Sequence, residues 1–210
     1  PLVDTHGPYA SAVLASRPHA YWRLNEINPP TAADATGRSP AARYEDGVAL
    51  HLPGAQAAAD GISAVPERPS TFSGPQINRA PHFAGGRVRA ELPGLGRTYS
   101  VSLWLWNGLP ADARPVNGHI FSRGREGTAA GGEHLGVSGS GATGGASGRL
   151  MFSAGDGGAA PLVGATALGF RRWHHVVLVR DGAVVRIHLD GRATPEIEAP
   201  WETALPVDAA

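Results

Sequence analysis

Three groups of residues in this chain have types and spacings that could do chemistry. The first is Trp173, His174, His175, Arg186 and His188. His174 and His175 are adjacent, so on a β-strand they point to opposite faces and cannot clasp one metal ion. His175 stands opposite His188 if Asp181 and Gly182 are the two central residues of a tight turn. Paired imidazoles of that kind have β-carbons roughly 4.5–5.5 Å apart, which suits a transition metal. The sequence shows no third ligand for one. Trp173, His175, Arg186 and His188 also share one face, and an aromatic ring beside planar polar groups is a surface on which sugars stack. The alternative is a Trp in the core and a His pair at a packed polar edge. The second group is Glu196, Glu198 and Glu202, in PEIEAPWE. Carboxyls about 5–5.5 Å apart serve retaining glycosidases, and i, i+2 or i, i+4 spacing on a strand can supply them. Pro195 and Pro200 interrupt such a strand, so a solvated tail is the expected reading. The third is Asp34, in Asp34-Ala35-Thr36-Gly37, a common Asx-turn sequence. The chain holds no Gly-x-Ser-x-Gly elbow, P-loop or HExxH motif.

The elements that must position these groups are mostly strands. Phe170 to Gly191, FRRWHHVVLVRDGAVVRIHLDG, predicts two strands joined at Asp181-Gly182. One face of that hairpin carries Val176, Leu178, Val185, Ile187 and Leu189, which requires a core. The other carries Trp173, His175, Val177, Val179, Val184, Arg186 and His188 and is mixed. Tyr99 to Trp106 alternates, with Tyr99, Val101, Leu103 and Leu105 on one side and Ser100, Ser102, Trp104 and Trp106 on the other. Both faces are apolar enough for a central strand. Further strands are expected over 19–26, 42–52 with a turn at Asp46-Gly47, 81–84, 87–92, 119–122, 134–137 and 149–153. Tyr9 to Ser16 is the one helical stretch, closed by Pro18. Residues 53–78 read as irregular, and the glycines between 124 and 148 as loops or hairpin tips. Short strands at 8–15-residue spacing imply a sandwich or jelly roll. No second core or repeat is apparent, so one domain over 1–210 is expected.

Composition sets limits. Hydrophobic residues are 42% and charged residues 17%, which places the chain among globular proteins. The 18 basic and 18 acidic residues cancel, so nucleic acid is not an expected partner. All basic residues are Arg; a GC-rich genome explains that without invoking Arg in sugar or carboxylate recognition. With no Cys there is no disulfide and no thiolate metal site. No run of 18 apolar residues is present, so no transmembrane helix is expected. The chain begins at Pro1, and a processed N-terminus with its export signal removed is the expectation.

Taken in order, AYWRLNE (20–26), AADATG (32–37), GVALHLPGA (47–55), APHFAGG (80–86), YSVSLWLW (99–106) and WHHVVLVRDG with VRIHLDG (173–191) resemble the laminin-G-like, concanavalin-A-like jelly roll of bacterial surface and secreted proteins. The likeness spans residues 9–192. It implies an all-β fold, a two-sheet antiparallel jelly-roll sandwich with one short N-terminal helix. It also implies a non-catalytic, extracytoplasmic module that recognises carbohydrate or protein, with Trp173, His175, Arg186 and His188 as candidate ligand-binding residues. In such proteins rim loops often hold Ca²⁺, which makes Asp34 a candidate ligand, though calcium needs six or more oxygens. The alternatives are a structural subunit of a filament, envelope layer or complex, and a glycan-cleaving enzyme. The family's closing strand is not found after Asp190. Residues 193–210 therefore read as an irregular tail, cut before the last strand or leaving a C-terminal edge for a strand-adding neighbour.

Overall fold

The computed structural model describes residues 7–27, 30–58, 61–63, 78–113, 115–124, 132–141, 147–155 and 160–202. The fold is all-β with one short α-helix. The chain divides into two compact units, 1–92 and 93–210, each with its own apolar cluster, where the sequence suggested a single core.

The first unit opens with α1 (Pro8–Ala15), which begins at a proline and is closed by Ser16, whose Oγ donates to the Val13 carbonyl. Pro18 forbids continuation. Seven short strands follow: β1 (Thr31–Ala32), β2 (Ala42–Tyr44), β3 (Val48–Pro53), β4 (Gln56–Ala58), β5 (Gly61–Ser63), β6 (Arg79–Phe83) and β7 (Val88–Arg89). They form three small sheets, β1-β2-β7, β3-β6 and β4-β5. Ala32, Ala42 and Tyr44 are buried and meet Trp22, Leu24, Val48, Leu50 and Val88. The expected strand over 19–26 reduces to one bridge between Trp22 and Asp34. The chain bends at Asp46-Gly47, where a hairpin turn was expected, and the strands on either side pair elsewhere. Gly47 is at φ +88, and a side chain there would stand 2.8 Å from the Gly86 nitrogen, so only glycine fits.

The second unit is a sandwich of two four-stranded antiparallel sheets. Its strands are β8 (Thr98–Asn107), β9 (Gly118–Gly124), β10 (Gly132–Val137), β11 (Arg149–Ala154), β12 (Leu162–Ala167), β13 (Arg172–Asp181), β14 (Val184–Leu189) and β15 (Ile197–Pro200). One sheet has the order β12-β11-β10-β9, the other β15-β14-β13-β8. The inward residues of both sheets make one core, in which Leu135, Leu150, Phe152, Val176, Leu178, Val185 and Ile187 are fully buried. The apolar face read from the hairpin is this core face. β8 stands last in its sheet, not in the middle. The aromatic side of β8 is therefore outward surface.

Two further expectations need correction. The hairpin turns at Gly182-Ala183, so Asp181 pairs with Val184 and Val177 with His188. Gly182 takes φ +57 at the first turn position, and Asp181 stays extended. A turn centred on Asp181-Gly182 of the usual two-residue type would force Asp181 to positive φ. His175 and His188 are consequently diagonal, not opposite. The tail is also not irregular throughout: Ile197–Pro200 is β15, paired with β14, with Ile197 and Trp201 in the core. The edge expected to be open at the C-terminal side is occupied by the chain itself. Glu196 crosses to the other sheet, accepting from the Thr166 amide and, at 2.9 Å, from its hydroxyl. A side chain at Gly164 would meet that carboxylate at 2.7 Å, so glycine makes the bridge possible.

The core holds a charge pair. Arg180 lies on the inner face of β13, and Glu133 on that of β10; each side chain is 1% exposed. Arg180 Nε donates to Glu133 Oε1 at 2.7 Å, and Tyr99 Oη donates to Oε2 at 2.6 Å. Arg180 also donates to the carbonyls of Gly182, Val184 and Trp201. Removing one partner strands the other charge in a dry interior. Glu133→Ala is therefore expected to destabilise the unit by about 3–5 kcal/mol, and Tyr99→Phe by about 1 kcal/mol. Urea unfolding monitored by Trp fluorescence measures both; a Glu133→Ala loss below that of Tyr99→Phe would show that the pair does not hold the sheets.

Candidate functional site

The outer face of the β8-β13-β14-β15 sheet is the candidate site, because it gathers Trp173, His175, Arg186 and His188. β13 supplies the first two and β14 the others, by simple alternation. They do not converge on a point. Val179 faces Arg186 and Val177 faces His188, so the four mark successive levels along one strand. From Trp173 to the level of Arg186 is six residues, about 20 Å at roughly 3.3 Å per residue. The site is a stripe.

Each member has partners. Trp173 is nearly covered; Trp106 of β8 lies directly opposite, with ring centroids 5.8 Å apart and planes at 54°. Trp106 itself is 38% exposed. His175 stacks on Trp104 at 4.9 Å and 28°, and its Nε2 is 2.8 Å from Ser102 Oγ. Burial lowers the His175 pKa, against a weaker upward pull from Asp190, so the neutral ring is favoured near pH 7. His188 Nδ1 is 3.1 Å from the Arg192 carbonyl and therefore donates. Arg186 Nε donates to Glu198 Oε1 at 2.7 Å, with Asp181 Oδ2 3.7 Å away. The stripe thus runs from aromatic rings at one end to an ion-paired guanidinium at the other.

His174, on the inner face as expected, is buried with Nδ1 2.9 Å from Asp190 Oδ2. Asp190 Oδ1 also accepts from the His175 amide, so this carboxylate fixes the strand on which the stripe is built. Glu196 and Glu198 serve different partners, Thr166 in the opposite sheet and Arg186 on the outer face.

Sequence reasoning missed Ser102, Trp104 and Trp106 as members. Their shared parity was legible, but their adjacency to β13 depends on sheet order. It also missed a second histidine pair. His119 and His134 stack at 4.8 Å and 18° across β9 and β10, and His134 Nδ1 is 2.9 Å from Ser122 Oγ. Burial and the neighbouring His119 lower the His134 pKa. Among the described residues, no three or more His, Cys, Asp or Glu side chains gather as a metal site.

Asp34 lies in the first unit, where its two oxygens accept five hydrogen bonds from its own surroundings. Oδ1 takes the amides of Tyr21 and Thr36, at 2.7 and 3.1 Å. Oδ2 takes the Thr36 hydroxyl and the amides of Arg38 and Ser39, at 2.5, 3.0 and 2.9 Å. Burial pushes its pKa up, but the bonds from Thr36, Tyr21 and Ser39 outweigh it and hold the carboxyl well below the usual range. The carboxylate staples the loop to the segment at Tyr21.

No family model matches the chain, and no curated protein matches it. Among solved structures it is similar to an S-layer domain-containing protein from Clostridium thermocellum, at 17% identity and a TM-score of 0.39 over 90% of this chain and 75% of that one. A likeness this distant carries no statement of function.

Folding lowers the pKa of Asp34, so its contribution to stability is complete above the ordinary carboxylate value of about 3.9 and is lost as pH falls toward the folded-state value. Asp34→Asn is expected to lower stability by about 1–3 kcal/mol at pH 7 and to flatten the acid side of the stability profile. Thermal melts of both proteins from neutral to acid pH read this out; superimposable profiles would remove Asp34 as the staple.

Proposed function

We propose that this chain is a non-catalytic recognition module of the laminin-G-like type, working outside the cytoplasm, that binds an extended carbohydrate along the outer stripe of the β8-β13-β14-β15 sheet. The observation that carries this reading is the Trp106–Trp173 and Trp104–His175 pairing at one end of a polar-lined face. Indole faces pack on the C–H faces of sugar rings, while Ser102, His188 and the Arg186–Glu198 pair offer donors and acceptors for hydroxyls. A stripe about 20 Å long fits several linked sugar units better than one. The ion pairing of Arg186 favours a neutral glycan over an anionic one, since Glu198 already uses that charge. In this reading Asp34 shapes its loop, and binding does not require calcium.

A second reading, a subunit of an envelope layer or other assembly, is favoured by β8. From Thr98 to Asn107 it contains no proline and no charged residue, the features that commonly keep an outermost strand from pairing with another chain. Sedimentation that shifts with concentration, and stops doing so in a variant that carries a charge on the outward side of β8, Ser100→Lys, would support it.

Trp106→Ala is expected to weaken glycan binding about tenfold, the effect of losing roughly 1.4 kcal/mol of stacking. His188→Ala should weaken it less, and EDTA should leave it unchanged. Array screening followed by calorimetry on the best oligosaccharide measures these changes. Silence on the array, or binding indifferent to Trp106, would remove the carbohydrate reading.

A further inference from the structure

The sandwich of the second unit has two unlike ends. The described parts of four connections meet at one of them: 108–113 with 115–117, 138–141 with 147–148, 168–171 and 190–196. Four large apolar side chains are exposed there, Trp106 at 38%, Leu109 at 48%, Val116 at 71% and Phe170 at 46%. Among the described residues of this unit, the one other exposed large apolar side chain is Val163, on β12 toward the opposite end. The grouping is a consequence of topology, since these residues come from two separate connections and the end of β8.

Their exposure is held in place. Asn107 Nδ2 donates to the carbonyls of Leu168 and Gly169, at 3.1 and 3.3 Å, and the Arg171 amide donates back to the Asn107 carbonyl at 2.7 Å. The Leu168 amide donates to Gly148 O at 2.8 Å, and the Gly139 amide to Asn117 Oδ1 at 2.9 Å. Ser147 Oγ donates to the Ala111 carbonyl. Arg171 sits at φ +53, a conformation uncommon for a residue with a side chain, between Phe170 and β13. The backbone of these loops is thus pinned inward while the apolar side chains stay in solvent.

The charge at this end is mainly basic. Arg171, Arg172 and Arg192 are exposed, and the Arg171 guanidinium lies 5.0 Å over the Phe170 ring. Two exposed acids lie at this end, Asp112 and Asp190, and Asp190 is engaged by His174 and the His175 amide. Isolated apolar tips flanked by Arg are the composition that sits at a bilayer interface: the tips enter the acyl boundary, and guanidinium groups meet phosphates.

We propose that this end of the second unit docks on an anionic lipid surface. Leu109, Val116 and Phe170 insert, Trp106 lies at the headgroup level, and Arg171 and Arg172 contact lipid phosphates. This inference is independent of the glycan stripe, which lies on the sheet face and shares Trp106 alone with it.

The test is co-sedimentation of the full chain with vesicles of phosphatidylcholine and with vesicles that also contain phosphatidylglycerol. The chain is expected to bind the anionic vesicles and to release when salt shortens the Debye length to about 3 Å. Leu109→Ala with Phe170→Ala should weaken binding at least about tenfold, since several buried methylene equivalents are lost. Arg171→Glu with Arg172→Glu should abolish the preference for anionic lipid. All four positions are exposed, and unchanged melting temperatures, with unchanged glycan binding where that occurs, show that the fold is intact. No sedimentation with anionic vesicles, equal binding to neutral ones, or binding indifferent to both double variants would overturn the proposal.

Discussion

An ion pair inside the largely apolar core of the sandwich organises the second unit. Arg180 and Glu133 are removed from water almost completely, and every strong donor on the guanidinium side meets an acceptor. Such a pair contributes little net stability relative to an apolar core, but it tolerates few alternatives. It requires β13 to face β10 at one level, Tyr99 to approach from β8, and the carbonyls of Gly182 and Trp201 to lie within reach. Its effect is specificity of arrangement. Turning Arg180 inward goes with the turn at Gly182-Ala183, and with the register that sets the spacing of the outer stripe.

The same constraint separates the ends of the sandwich. Where Arg180, Glu133 and Tyr99 meet, polar groups are inside and satisfied by one another. At the opposite end backbone amides together with Asn107, Asn117 and Ser147 tie loops together, and large apolar side chains remain outside. Satisfying main-chain groups between loops takes precedence there over covering Leu109, Val116 and Phe170, because an unpaired buried amide costs more than an exposed methyl group gains. The outer face between these ends is intermediate, with rings stacked in pairs and ion pairs on the surface.

Much of this was legible in the chain. Alternation through 173–189 identified the core face, and over Tyr99–Trp106 it sorted the side chains into the two faces observed without showing that one of them is surface, because a strand has a period of two whatever it pairs with. Those faces survived the register error for the same reason: the observed pairing differs from the expected one by an amount that preserves parity. Arg180 shares parity with Val176 and Leu178, and Glu133 with Leu135 and Val137, so both buried charges had a local signal. What hid them was the rule that isolated charges stay outside, which holds for each residue alone and fails for a matched pair. The short β15 escaped notice because Pro195 and Pro200 bracket it, yet an edge strand tolerates proline where its amide faces away from the ladder.

The amino-acid order by itself determined that the chain forms short strands around a Val, Leu and Ile core and which side chains share a face. These are short-range matters of backbone sterics and hydrophobic periodicity. Only the tertiary structure decided that Trp106 meets Trp173, that Glu133 finds Arg180, that Glu196 bridges to Thr166, and that two loops and the end of β8 bring large apolar side chains to one end. Each of those contacts joins residues 30 to 67 positions apart, or separate loops, and is set by sheet order and strand register, which no local pattern encodes.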